Sequence, residues 1–283
     1  MDFKTGVLLD SFRLSLDESL QKASEAGADG VQIFAVPHEM AVLKLDFTDV
    51  KKLKRKVRSS GLEIASLCGD IGGHGFESLS ENKSKIKKTF QIIDYAVELG
   101  TTIITTHIGV IPENDSEKRD NIQQALIKIC RYAEKSGVFI AVETGPERSE
   151  VLKKFILETG EKSLMVNFDP ANLVMVQGED PVLAVYNLND LIVHTHAKDG
   201  KMIRKCDPVK IYNAFAEGNP DNIDIDSYFL ESPIGKGDVN FPAYLAALDE
   251  IGYKGYLTIE RESGRNRVKD VKEGIKFLKG VML

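Results

Sequence analysis

The chain has 283 residues, of which 42% are hydrophobic and 28% are charged, a balance typical of a folded globular protein and not of a disordered one. Its 37 Lys and Arg residues against 43 Asp and Glu residues give a formal net charge of −6, which disfavours a protein that mainly binds nucleic acid. The length fits a single α/β barrel, so we predict one domain over residues 1–283.

The cysteines and the N-terminus bear on the compartment. Cys68, Cys130 and Cys206 are widely separated and odd in number, so we expect reduced thiols and no disulfide framework. Residues 1–4 lead directly into an apolar run without a secretory leader, and no stretch approaches the roughly 18 apolar residues of a membrane span. We therefore expect a cytoplasmic protein that binds neither membranes nor nucleic acid.

A pattern of amphipathic stretch, glycine and short apolar run recurs along the chain. Glycine readily adopts the left-handed conformation that closes a helix, so each such glycine predicts a helix end before a strand. The glycines are Gly27, Gly61, Gly100, Gly137, Gly160 and Gly252. Strands are predicted over residues 4–9, 30–35, 62–67, 102–107, 138–143, 164–169, 191–196 and 256–260. The first helix should begin with a capping box at Ser15 and Glu18, and another helix should cover residues 85–99.

Eight strands alternating with helices favour the α/β class and a (β/α)₈ barrel, whose active site lies at the carboxyl ends of the strands. An open doubly wound sheet is the alternative, but no G-x-G-x-x-G motif follows the first strand. The connection over about residues 197–238 is unusually long for a barrel. We predict that this long loop covers part of the site, although a plain surface excursion is the alternative.

Four of the predicted strands end on a residue type that binds divalent cations, namely Glu143, Asp169, His196 and Glu260. Any one of these could instead be a helix cap or a solvated loop residue. Because the carboxyl ends of barrel strands meet at one mouth, four in succession predict a shared site. Three carboxylates and one imidazole suit one divalent metal ion, for which Mn²⁺ is our first choice and Mg²⁺, Co²⁺ or Zn²⁺ are alternatives.

His194 and His196 lie two residues apart on the seventh strand. We assign the two side chains to opposite faces of the sheet. His196 is nearer the mouth and is our choice for the metal ligand. His194 is expected between the sheet and the helices.

Other polar residues near the predicted mouth are candidates for substrate contacts. His107 closes the fourth strand, where it would bind a substrate hydroxyl or a second metal, with a polar rim position as the alternative. Lys198, two residues after His196, would form an ion pair or contact the substrate. The full set of substrate-binding candidates is His74, His107, Asn172, Lys198 and Arg204.

Paired glutamates beside a metal suggest a chemistry. If a carbon next to a carbonyl loses a proton, the ion stabilises the enediolate while one carboxylate removes the proton and another returns it. Glu143 and Glu260 are the candidates for this acid/base pair, and the sequence leaves open which of them is the base or whether both only bind metal. No G-x-S-x-G, P-loop or H-E-x-x-H motif is present, so these hydrolase classes lack support.

At this point the chain resembles the sugar phosphate isomerase/epimerase family of xylose isomerase-like TIM barrels. The residues that carry the resemblance are 142–145, 167–172, 194–199, 233–239 and 252–260. The resemblance implies one divalent ion held by the residues that match Glu143, Asp169, His196 and Glu260, with the two glutamates as acid and base. Ketose 3-epimerases carry histidine, glutamate and arginine where this chain has Asn172, Ser149 and Met202.

Our leading hypothesis is a metal-dependent isomerase or epimerase that acts on a small carbohydrate substrate, either a sugar, a sugar phosphate or a related polyol. The alternatives are an inosose-type dehydratase, a non-catalytic sugar-binding barrel and an endonuclease IV-like DNA-repair enzyme. The acidic balance and the five histidines disfavour the last. A phosphate clamp and self-association into a homo-oligomer remain open. The residues available for a clamp are Lys198, Lys201, Arg204 and Lys236.

Overall fold

A computed structural model describes residues 1–35 and 45–283. Within these residues, eight parallel strands close into a barrel in the order β1-β10-β7-β6-β5-β4-β3-β2. The barrel strands are β1 (Lys4–Leu8), β2 (Gly30–Phe34), β3 (Glu63–Cys68), β4 (Ile103–Thr106), β5 (Phe139–Glu143), β6 (Leu164–Phe168), β7 (Ile192–Ala197) and β10 (Tyr256–Ile259). The predicted (β/α)₈ barrel is thereby confirmed, and each predicted strand lies within one or two residues of its observed bounds.

Helices surround the barrel. They are α1 (Leu16–Ala26), α2 (Phe47–Ser59), α3 (Leu79–Leu99), α4 (Glu117–Lys135), α5 (Ser149–Thr159), α6 (Pro170–Asn172), α7 (Pro181–Leu188), α8 (Pro208–Glu217), α9 (Phe241–Glu250) and α10 (Arg267–Met282). The predicted capping box is present at the start of α1, where Ser15 and Glu18 bond each other's backbone N–H groups. Helix α3 begins at Leu79, six residues before the predicted start.

The connection between β7 and β10 has regular structure of its own. It contains β8 (Asp199–Met202), α8 and β9 (Phe229–Ser232), and β8 pairs with β9 in a two-stranded antiparallel sheet. The carboxylate of Asp199 accepts backbone N–H groups of Gly200, Gly235, Lys236, Gly237 and Val239, so it anchors the turn that follows β9. The segment that we predicted as a long loop, residues 197–238, is therefore a small folded unit above the barrel, and we call it the β8–β9 unit.

The barrel strands are buried on both faces, which explains their nearly continuous apolar sequences. In β2, Val31 and Ile33 are fully buried among apolar neighbours, whereas Gln32 between them contacts residues of other strands inside the barrel. The register sets Glu143 beside Asn167 and His196 beside Thr258, which places polar side chains at one level near the mouth. Among the described helices, none is both long and apolar enough to cross a membrane.

Candidate active site

The carboxyl ends of four barrel strands bring Glu143, Asp169, His196 and Glu260 together. Glu143 is the last residue of β5, Asp169 and Glu260 directly follow β6 and β10, and His196 lies in β7. One potential ligand atom from each of the four residues lies within 4.8 Å of those of the other three. This cluster forms a possible metal site.

The imidazole of His196 occupies the centre of the cluster. Its Nδ1 lies 3.5 Å from Glu143 Oε2, 3.6 Å from Asp169 Oδ2 and 3.5 Å from Glu260 Oε2. Burial disfavours the imidazolium, but the carboxylates of Glu143 and Glu260 outweigh burial and hold the pKa of His196 well above its usual value. Such concentrated negative charge is the field in which a divalent cation is stabilised.

Asp169 provides a specific test of whether a metal ion fits. Its Oδ1 accepts the backbone N–H groups of Ala171 and Asn172 at 2.8 and 2.9 Å, so Asp169 caps α6. Its Oδ2 is fully buried, points toward the cluster and has no hydrogen-bond partner within the described part of the chain. A buried carboxylate oxygen without a partner is costly, and a bound cation would satisfy it, so the donor set fits a divalent ion.

Side chains behind the cluster hold its members in place. Gln32 Oε1 accepts a hydrogen bond from His196 Nε2 at 3.0 Å, which leaves Nδ1 free to face the carboxylates. Asn167 Nδ2 donates to Glu143 Oε2 at 3.1 Å, and Asn172 Nδ2 donates to Glu143 Oε1 at 3.0 Å. Our sequence analysis missed Gln32 and Asn167, although a polar residue inside an apolar barrel strand is a signal that could have identified both.

His107 lies on the cavity side of the cluster and has a carboxylate on each side. Its Nδ1 is 3.0 Å from Asp70 Oδ2, and its Nε2 is 3.8 Å from Glu143 Oε1. Burial opposes protonation, but Glu143 and Asp70 outweigh it and raise the pKa of His107 to about 10. Asp70, which follows β3, was not identified from the sequence because a lone aspartate in a glycine-rich loop carries no distinctive pattern.

Of the remaining candidates for substrate contacts, Lys198 and His74 lie at the cavity and Arg204 does not. Lys198 is buried, and its Nζ donates to Glu260 Oε2 at 2.8 Å and also to Glu262. His74 lines the cavity and contacts Glu217 of α8 at 2.9 Å. Arg204 is exposed, bonds Ser227 and stacks on Tyr228, so the structure does not bring it to the cluster.

The expected position of His194 was wrong. Side chains alternate along a strand, so residues two apart share a face, and His194 points into the barrel like His196. Its Nε2 contacts Ser66 Oγ on β3, across the barrel, at 3.2 Å. Burial and the neighbouring His196 hold the pKa of His194 well below its usual value, so His194 is a neutral residue one layer beneath the cluster.

A cavity of about 310 Å³ opens above the cluster and is lined by Glu143, Glu260, His107 and residues of the β8–β9 unit. The residues from this unit are Tyr212, Asn213, Phe215, Ala216, Phe229 and Glu231. The phenol of Tyr212 packs directly on Gly145, where an added Cβ would collide with its hydroxyl oxygen. The segment over residues 197–238 therefore contributes one wall of the cavity, and Gly145 allows α8 to approach closely.

Comparisons with curated proteins identify relatives of differing function. The chain is 30% identical over 190 residues to an uncharacterised protein of Methanocaldococcus jannaschii, covering 62% of the chain and 56% of that protein. It is 25% identical over 167 residues to an inosose dehydratase of Clostridium tetani, covering 58% of the chain and 53% of that enzyme. The matches to these two span only about half the length of each relative. A 2-oxo-tetronate isomerase of Haemophilus influenzae is 27% identical over 220 residues, with 74% of the chain and 77% of that enzyme covered.

Solved structures and a family model agree on the fold. A xylose isomerase domain protein from Planctomyces limnophilus superposes with a TM-score of 0.80 and 26% identity, covering 99% of this chain and 96% of that one. A D-tagatose 3-epimerase-like protein gives a TM-score of 0.73 and 25% identity, covering 99% of this chain and all of the other. Residues 20–281 match the model of the xylose isomerase-like TIM barrel family, and the chain therefore belongs to that family.

Proposed function

We propose that this protein is a divalent-metal-dependent isomerase or epimerase that moves a proton next to the carbonyl of a sugar or related polyol. The observation that carries the proposal is the convergence of Glu143, Asp169, His196 and Glu260 directly beneath a cavity that Glu143 and Glu260 line and that is large enough for a small carbohydrate. The similarity to an isomerase and to an epimerase-like protein supports the same reaction class.

Glu143, Asp169, His196 and Glu260 would hold the ion, which would supply positive charge to oxygens of the substrate. Both glutamates are suited to be ionised when substrate enters. Burial raises the pKa of Glu143, but His196 and His107 outweigh it and keep that pKa below its usual value. Burial also raises the pKa of Glu260, but Lys198 and His196 outweigh burial and keep that pKa below its usual value. One carboxylate would take the proton from the carbon next to the carbonyl. The other would take up a proton from solvent and deliver it to the carbon of the product, and the first would then release its proton to solvent.

Neighbouring residues would orient the acid/base pair and the substrate. Asn167 and Asn172 donate to opposite oxygens of Glu143, so its carboxylate is fixed in one plane. His107, held by Asp70, lies at the cavity wall beside Glu143 and would bind a substrate oxygen through Nε2. Asn172 and Lys198 also line the cavity and are within reach of a bound ligand.

The test is deuterium incorporation from D₂O into a panel of ketoses and cyclitol ketones in the presence of Mn²⁺. We expect Glu143→Gln and Glu260→Gln each to lower the exchange rate by about 1,000-fold, because each removes a proton-transfer group. Glu134→Gln, which alters an exposed residue of α4, should behave like the wild-type protein. Unchanged exchange in both site variants, or ligand binding without exchange under every metal tried, would rule out the proposed chemistry.

A second candidate is dehydration of an inosose-type substrate, and the similarity to the Clostridium tetani enzyme favours it. This reaction would need the same metal site and the same base, but it expels a hydroxyl group instead of returning a proton to carbon. Mass spectrometry of the product separates the two candidates. A product lighter by one water indicates the dehydratase, and a product of unchanged mass indicates the isomerase or epimerase.

A further inference from the structure

The cavity above the proposed metal site is lined by an excess of negatively charged side chains. Among the described residues, those with carboxylates in its lining are Asp70, Glu77, Glu143, Glu231, Glu260 and Glu262. In the described part of the chain, Lys198 is the one lysine or arginine that lines this cavity. A ligand entering the cavity therefore meets many carboxylates, the ammonium group of Lys198 and the imidazole rings of His74 and His107, and His107 already lies between the carboxylates of Asp70 and Glu143.

That ammonium group is already paired. Lys198 is 5% exposed, and it donates to Glu260 Oε2 at 2.8 Å and to Glu262 Oε2. Two of its three N–H groups are used, which leaves one donor for a neutral hydroxyl or carbonyl oxygen of a ligand.

The β8–β9 unit holds the backbone of Glu262 in this position. The backbone N–H of Glu262 donates to Glu231 Oε1 at 3.1 Å and Oε2 at 3.2 Å. Glu231 also binds the buried guanidinium of Arg261 at 2.6 Å, and Arg261 bonds Asp270 at 3.0 Å. Arg261, the buried cation next to this wall, is therefore also neutralised by the protein.

The other basic residues that the sequence offered for a phosphate clamp add no positive charge to the cavity wall. Lys201, Arg204 and Lys236 are exposed, and none of them lines the cavity. A phosphate or carboxylate beside Lys198 would have to displace Glu262 or lie next to its charge, and both are unfavourable.

We propose that the cavity selects an uncharged polyol or ketose, and that Glu262 determines this specificity by keeping Lys198 unavailable to anions. The inference rests on the proposed function, because it names the substrate class of the same site. The sequence left both free and phosphorylated sugars open as substrates. Our inference assigns this chain a free sugar or cyclitol as substrate and excludes a phosphate ester or a sugar acid.

A neighbouring cavity offers a competing location for an anion. It lies on the other side of Glu260 and Glu262, and Arg13, Arg261 and Arg267 contribute to its lining. A phosphate group bound in that cavity would lie among side chains that include Arg267. Substitution of Arg267 therefore distinguishes an anion in that cavity from one beside Lys198.

The experiment is isothermal titration calorimetry with D-tagatose and D-tagatose 6-phosphate in Mg²⁺ buffer, and with inorganic phosphate in metal-free buffer, where no bound cation can hold the anion. We expect the wild-type protein to show no binding of inorganic phosphate, and to bind the free ketose at least about ten-fold more tightly than its phosphate ester. Glu262→Gln should tighten binding of both phosphate-bearing probes by about ten-fold or more and leave the free ketose nearly unchanged. The double variant Glu262→Gln/Lys198→Met should lose this gain, and Glu134→Gln should match the wild-type protein.

The inference would be overturned if the wild-type protein bound the phosphate ester as tightly as the free ketose. If Arg267→Met then abolished binding of the phosphate ester, the anion would lie in the neighbouring cavity. Phosphate binding that Glu262→Gln leaves unchanged would also overturn it. The inorganic phosphate titration decides the point even if this particular ketose does not bind. Failure of the proposed function would appear separately, as absent deuterium exchange with the wild-type protein.

Discussion

The floor and the wall of the cavity are built from different parts of the chain and differ in burial. The floor consists of Glu143, Asp169, His196 and Glu260 at the ends of barrel strands, where His196 is 2% and Asp169 0% exposed. The wall comes from α8 and β9, and many of its side chains are only half buried. The difference supports our proposals that the barrel carries the metal and proton chemistry and that the added β8–β9 unit selects the ligand.

The largest effect should come from removing one charge from the floor. Asp169→Asn keeps a side-chain oxygen that can cap α6, so the fold should be retained, because Asn and Asp are comparable helix caps. It removes the negative charge from the buried Oδ2 position, and we expect Mn²⁺ affinity to fall by more than about 100-fold. Calorimetric Mn²⁺ titration measures the affinity, and thermal unfolding measures the fold.

Asp180→Asn is the matched control, because Asp180 caps α7 in the same way at an exposed position away from the cluster. This variant should bind Mn²⁺ as the wild-type protein does. Equal affinities in all three proteins would show that the cluster does not bind metal through Asp169.

An intermediate effect should follow from displacing the wall while leaving the floor intact. Gly145→Ala introduces a methyl group against the phenol of Tyr212, and overpacking of this kind costs about 1–3 kcal/mol. We expect KM for the substrate to rise about ten-fold, with Mn²⁺ affinity unchanged. Tyr212→Ala should give a similar increase.

The control is Gly280→Ala in α10, where an added Cβ meets no atom within 4 Å. Its KM should equal that of the wild-type protein. If Gly145→Ala instead weakens Mn²⁺ binding and leaves KM unchanged, the wall and the floor are not separable as we describe them.

The smallest effect concerns stability at the rim between the two regions. Glu147 is buried and accepts the backbone N–H of Ile111 at 2.6 Å, and burial raises its pKa from the ordinary value of 4.5 to about 7. The raised pKa stabilises the folded protein below about pH 4.5, and this contribution is lost as the pH rises through 7. The loss amounts to about 3 kcal/mol.

Glu147→Gln cannot ionise and keeps an oxygen that accepts the N–H of Ile111. As the pH rises from 5 to 8, the free energy of unfolding of this variant should therefore increase relative to that of the wild-type protein. Urea unfolding at several pH values measures this difference. Glu134→Gln should follow the wild-type curve. Parallel curves for Glu147→Gln and the wild-type protein would show that Glu147 titrates normally.

The sequence predicted the convergence of the four strand-end residues better than it predicted the residues around them. Glu143, Asp169, His196 and Glu260 stand out because each is a metal-binding residue type at the end of an apolar run. Gln32 lies within such a run and was overlooked, although its inward position follows from the alternation of side chains along β2. The same alternation should have placed His194 inside the barrel.

Other features had no local signal. Asp70 lies in a different βα loop from His107, and the two meet only because β3 and β4 are neighbours in the barrel. Arg204 is two residues beyond β8, and its stacking on Tyr228 turns it away from the cavity. Neither contact can be read from sequence spacing, because each depends on how a loop or an added segment packs.

The sequence by itself determined the barrel, because strand length, helix periodicity and glycine-terminated helices are local properties that repeat along the chain. It also determined the chemical character of the floor, since strand ends meet at one mouth in any closed parallel barrel. Only the tertiary structure decided that Lys198 pairs with Glu260 and Glu262 and that Tyr212 packs on Gly145. These contacts join chain segments far apart in sequence, and their geometry depends on how the β8–β9 unit packs on the barrel.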